Sequence, residues 1–145
     1  MIKYLEIKDL MTQPVLTVHP SDKMEQAAEI FENHAFHHIP VVDDEHKVVG
    51  MISRHDYNKI LHAFTAFNTE NSRRSNEVTL KALLTRDVMT KQLATVNIND
   101  PIEKAVDMFK ENLFHALPVV NNNKQLEGII TTYDLLNYAF KEKIT

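Results

Sequence analysis

The chain has 145 residues, 43% of them apolar and 25% charged, enough to bury one sizeable core or two small ones and too hydrophobic for wholesale disorder. Sixteen Lys and Arg against 20 Asp and Glu leave a formal charge of −4, which excludes an affinity built mainly on neutralising backbone phosphates. The absence of cysteine excludes disulfides, thiolate chemistry and cysteine-bound metal centres, and the only two glycines, Gly50 and Gly128, stand too far apart for a glycine-rich phosphate cradle.

The first residues, MIKYLEIKDLM, have neither a long apolar core nor a small-residue cleavage pattern, and no later stretch reaches the roughly 18 consecutive apolar residues of a membrane span. A soluble cytoplasmic protein with no membrane insertion is the expectation. An Asp-x-Met-Thr opening at Asp9–Thr12 leads to an extended Thr17-Val18 pair, and Ser21 with Asp22 offers an N-cap. In the helical pattern that follows, Met24, Ala27, Ala28, Ile30 and Phe31 share a stripe, with Phe36 beyond it. HIPVVDD at 38–44 reads as a strand ending in a turn, KVVGMIS at 47–53 as a second strand, and Asp56 opens another helix. Positions 65–79, TAFNTENSRRSNEVT, are polar and carry no strong period, which marks a connector.

The same order then returns. DVMT at 87–90, Thr95-Val96, Asn99-Asp100, a stripe of Ile102, Ala105, Val106, Met108 and Phe109 with Leu113 beyond, ALPVVNN at 116–122, QLEGIIT at 125–131 and Asp134 repeat the first half. A displacement of 78 aligns residues 8–61 with 86–139 without a gap, and 17 of the 54 pairs are identical. The domains read as unit 1 at 7–61, a connector at 62–84 with helical ends, and unit 2 at 85–139. Each unit is strand-helix-strand-strand-helix, and neither covers its own sheet, so an α/β fold is expected in which the two close on one another with pseudo-twofold symmetry.

With DLMT/DVMT, HIPVVDD/ALPVVNN and GMISRHD/GIITTYD occurring in the same order twice, the chain resembles a tandem pair of CBS domains, a Bateman module, over nearly all of it outside the connector. That resemblance implies a regulatory, non-enzymatic module that binds an adenine nucleotide, AMP, ADP or ATP in preference to S-adenosylmethionine, in clefts between its units. It needs no cofactor. Ser53 and Thr131 would then lie near phosphate, Asp56 and Asp134 would accept from the ribose diol, and His38 with Ile39 and Ala116 with Leu117 would present backbone atoms to adenine. Thr17 and Thr95 would close the other side of each pocket.

Elementary chemistry agrees with that assignment, since a diol supplies two donors and one carboxylate can accept both. Arg54 and His55 would add phosphate donors in the first unit, where the second has Thr132 and Tyr133. Gly50 and Gly128 would allow close backbone approach or unusual dihedrals. The competing reading of the corners is that Asp56 and Asp134 only cap helices and that Ser53 and Thr131 only end strands.

The histidines of HAFHH at 34–38, with His19, His46 and His55, lack the convergent spacing of a metal site, and no nucleophile elbow or HExxH gives the chain a reaction. Ser72-Arg73-Arg74 carries no interleaved aromatic residues, so nucleic acid is not an expected partner. A homodimer regulating another protein in trans is expected, and a ligand-independent interaction scaffold is the alternative.

Overall fold

The computed structural model describes residues 4–62 and 70–144. In chain order the elements are α1 (Ile7–Leu10), α2 (Met24–Asn33), β1 (His38–Val42), β2 (Val48–Ser53), α3 (Arg54–His62), α4 (Glu70–Ala82), α5 (Thr85–Val88), β3 (Val96–Asn97), α6 (Ile102–Lys110), β4 (Ala116–Val120), β5 (Leu126–Thr131) and α7 (Thr132–Ile144). The fold is α/β, and each half repeats one order of elements.

β4 is central in the sheet β3-β4-β5, parallel to β3 and antiparallel to β5. Pro118 sits within β4 although proline cannot donate to a ladder; β3 begins to pair only at Val119, one residue later. In the first half a single parallel bridge, Val18 with Val41, takes the place of β3, and the Val18 amide donates to the Pro40 carbonyl at 3.2 Å. The β1–β2 and β4–β5 turns place His46 and Lys124, equivalent in the repeat, at φ 65° and 64°.

The expected N-caps are displaced. Lys23 and Pro101 occupy the cap positions of α2 and α6 without side-chain bonds. Asp22 and Asp100 instead reach back across a turn, each accepting at 2.8 Å from the amide of His19 or Asn97. Each aspartate thus closes the turn before its helix, and Asp100 Oδ2 also pairs with Lys104 of α6 at 3.2 Å. Met24, Ala27, Ala28 and Phe31 are buried as the stripe requires, while Phe36 and Leu113, past the helix ends, are exposed.

The described part of the connector holds a helix, α4. α4 packs against α2 and α3, with Leu80 and Asn76 buried. Positions 63–69 of the expected connector lie outside the described residues.

Contacts divide the chain into two compact units that cut across the repeats. One, here the N-terminal unit, is Leu16–Glu45 with Val49–Gln92; the other, the C-terminal unit, is Met1–Val15, His46–Val48 and Leu93–Thr145. The N-terminal unit is organised on Val18, Met24, Phe31, Ile39, Val41, Ile52, Tyr57 and Leu80. The C-terminal unit is organised on Val96, Ala105, Leu117, Val119 and Ile130, joined by Ile7 from the opening segment of the first repeat. Ile7 is fully buried there, and its amide donates to the Asp100 carbonyl at 2.8 Å. Thr85, the equivalent of Ile7, is likewise fully buried in the N-terminal unit, with its amide and hydroxyl both donating to the Asp22 carbonyl. Each repeat therefore lends its opening turn to the unit that holds the body of the other.

Candidate functional site

The two strand-to-helix corners are built alike. At the end of β2 the Ser53 hydroxyl donates to Asp56 Oδ2 at 2.8 Å, the Ser53 amide donates to the same oxygen at 3.2 Å, and the Asp56 amide donates back to Ser53 Oγ at 3.0 Å. At the end of β5 the Thr131 hydroxyl and amide donate to Asp134 Oδ2 at 3.1 and 2.9 Å, and the Asp134 amide returns to Thr131 Oγ1 at 3.2 Å. These are reciprocal capping boxes, in which a hydroxyl at the cap and a carboxylate three residues on satisfy each other's orphan amides. The hydroxyl and carboxylate expected to face different parts of a ligand are bonded to one another.

The corners still lie beside the strand starts. Ala116 pairs directly across from Thr131, and the first amides of α3 and α7, those of Arg54 and Thr132, donate to the carbonyls of His37 and His115. Ile39 and Leu117 are fully buried, Ala116 is also buried and His38 is half-buried. Thr17 is half-buried and Thr95 exposed, each one residue ahead of the valine that bridges to β1 or β4.

Arg54 does not reach outward. Its Nε donates to the Phe36 carbonyl at 2.9 Å, and Nη2 to those of Phe31 and His34 at 2.9 and 2.8 Å, with the guanidinium 5.0 Å from the centre of the Phe31 ring. A cation there satisfies the unpaired carbonyls at the end of α2. Phe31 stacks in turn on Tyr57, whose hydroxyl donates to Glu32. Burial, and then the Glu32 carboxylate, push the Tyr57 hydroxyl well above its ordinary pKa. His55 is exposed on the first turn of α3.

Neither glycine has a positive φ. Their need is close approach, and the neighbour is protein. A Cβ on Gly50 would clash with Met89 Sδ; one on Gly128 would stand 2.7 Å from Met11 Sδ and 2.9 Å from the Thr12 carbonyl oxygen. The opening motif thus seats its methionine on a strand glycine. Its aspartate, Asp9 or Asp87, accepts from the amide of Glu6 or Leu84 to close the preceding turn. Its threonine bridges a strand: Thr12 and Ile129 exchange backbone bonds at 2.8 and 3.1 Å, and Thr90 and Met51 do so at 2.9 and 3.1 Å.

Thr12 and Met11 were legible as repeat identities, but their partners, more than a hundred residues away, were not. Thr12 adds a bond with no counterpart at Thr90: its hydroxyl donates to Asp134 Oδ1 at 3.0 Å. Among the described residues no group of three or more His, Asp or Glu side chains could hold a metal ion, and no helix is long and apolar enough to cross a membrane.

The profile of the CBS domain matches residues 7–63 and 85–141, and the chain belongs to that family as a tandem pair, a Bateman module. It is 33% identical over 135 residues to the protein MJ1225 of Methanocaldococcus jannaschii, covering 91% of this chain and 46% of that one. It is 29% identical over 130 residues to L-aspartate semialdehyde sulfurtransferase of the same organism, 89% of this chain and 22% of the enzyme. The chain thus spans less than half the length of these curated relatives. Among solved structures, CBSX2 from Arabidopsis thaliana superposes with a TM-score of 0.78 at 25% identity, covering 99% of both chains. The complex of CBSX2 with AMP gives 0.75 at 26%, covering 95% of this chain and 98% of that one. The CBS pair of MJ0100, in complex with 5′-methylthioadenosine and S-adenosyl-L-methionine, shares the fold with a TM-score of 0.76 at 23% identity, over 97% and 99%.

Proposed function

We propose that this chain is a regulatory module that senses an adenine nucleotide, AMP, ADP or ATP, and passes its occupancy to a second copy of itself or to a regulated protein in trans. The observation that carries the reading is the placement of each corner carboxylate beside a strand start of its own unit, Ala116 standing opposite Thr131 with Asp134 three residues on. CBSX2, of the same fold and 26% identical, is known in complex with AMP. Ribose is assigned to Asp56 and Asp134, the adenine edge to the backbone at His38 and Ile39 or Ala116 and Leu117, and the flank of each pocket to Thr17 or Thr95.

Phosphate is assigned in the first site to His55, on the first turn of α3, where the positive end of the helix dipole favours an anion. Arg54 serves this site indirectly, by holding the end of α2. Gly50 and Gly128 support it through the Met89 and Met11 packing. Occupancy regulates only if the nucleotide prefers one arrangement of the protein over another.

Calorimetric titration of the full chain with AMP, ADP, ATP and S-adenosylmethionine tests the reading. Saturable uptake is expected, weakened about tenfold or more in Asp56→Asn, as loss of a charge-assisted acceptor implies. The variant's thermal melt must stay cooperative for that loss to be assigned to the site. Absence of uptake with all four ligands would overturn the proposal in favour of a ligand-independent scaffold.

A further inference from the structure

The two corners differ at one atom. A carboxylate offers about four acceptor positions, two on each oxygen. At both corners Oδ2 is filled by the amide and hydroxyl of the capping residue. At Asp56 those are the only bonds the carboxylate accepts among the described residues, so Oδ1 keeps both positions for the two hydroxyls of a vicinal diol. At Asp134 the Thr12 hydroxyl holds one of them.

This inequality belongs to the side chain. Thr12 and Thr90 are anchored by the same pair of backbone bonds to strand partners, and each follows a methionine seated on a glycine. Only Thr12 turns its hydroxyl to the carboxylate. A rotation about its Cα–Cβ bond would release Asp134 without disturbing the strand bridge.

We propose that Thr12 is a specificity-determining latch on the second corner: a ribose diol is taken first at Asp56, and reaches Asp134 only at the expense of the Thr12 hydrogen bond. The inference rests on the adenine-nucleotide reading above and adds to it an order of filling set by the opening segment. Because Thr12 continues from Met11, filling the second corner is also felt by the segment that carries Ile7 into the core of that unit.

Titration of the full-length chain with AMP separates the outcomes. In the unaltered protein one site is expected to vanish with Asp56→Asn, and a second, weaker by about tenfold, to vanish with Asp134→Asn. Thr12→Val, which removes the donor and keeps the shape, is expected to bring the second site to within about threefold of the first, less than half a logarithmic unit of residual difference. Thr12→Ser should keep the inequality, and Thr90→Val should leave both sites as they are. Two equal sites in the unaltered chain, or a second site indifferent to Thr12→Val, would overturn the latch and leave the nucleotide reading standing. No AMP uptake by any of these proteins, with none of ADP, ATP or S-adenosylmethionine taken up either, would overturn both.

Discussion

Gly50 and Gly128 occupy one position of the repeat yet tolerate change differently. The three atoms nearest an added Cβ at Gly50 all belong to the Met89 side chain, which can move, whereas at Gly128 they include the Thr12 carbonyl oxygen, which is held in a backbone bridge. Gly128→Ala is expected to cost about 1–3 kcal/mol and Gly50→Ala less, by urea denaturation. Met89→Ala should recover most of the loss in Gly50→Ala; Met11→Ala should not recover Gly128→Ala. Sequence alone marked both glycines as sites of close approach or unusual dihedrals, and could not say that close approach is the need or that the approaching group is a methionine from the other repeat. Arg54 shows the same limit. Its charge and its place beside Ser53 suggested phosphate, and folding sets it under the last turn of α2, where three carbonyls take its donors.

Among the elements, the opening turns carry most of what local pattern could not reveal. α1 is four residues long and has no stability of its own, since one helical turn fixes several residues for a single bond. Tertiary contact holds it, chiefly burial of Ile7 against Val96, Leu117 and Ile130. Ile7→Ala should therefore destabilise by about 2–5 kcal/mol. Hydrogen exchange should report lost protection first in α6, β4 and β5, with β1 and α2 least affected, although Ile7 precedes the latter in sequence. A result with β1 and α2 opening first would mean that the repeats, and not the compact units, are the cooperative pieces. α4 had no legible stripe because its buried positions among the described residues are two, Asn76 and Leu80, and one of them is polar.

At the scale of the whole molecule, stability is expected to depend on pH through Tyr57, the residue after Asp56. Tyr57 is buried, and its hydroxyl donates to Glu32, so folding raises its pKa. The folded protein then keeps a proton that the unfolded chain gives up near pH 10, its ordinary value. Stability from this group is complete below that pH and is lost as pH rises toward the folded value. Urea midpoints should accordingly fall above about pH 10 in the unaltered protein, and Tyr57→Phe should flatten that part of the decline while leaving the neutral region's slope unchanged. A decline of equal steepness in the variant would assign it to other groups. The same column of Arg54, Phe31, Tyr57 and Glu32 joins α2 to α3, which places the first corner on a braced pair of helices.

The repeat, its order of strands and helices, the α/β class and the two Ser/Thr-x-x-Asp corners were all determined by the sequence itself, because periodicity, turn chemistry and self-similarity are local properties of the chain. Which segment completes which core was decided only in three dimensions. The opening turns are too short to be stable alone, and their methionines and threonines find glycines and strand ends more than a hundred residues away in one case and some forty in the other. Tertiary structure also decided that Asp56 and Asp134, equal in the aligned sequence, differ in the acceptor positions left to them, because a hydroxyl from the exchanged segment reaches only the second.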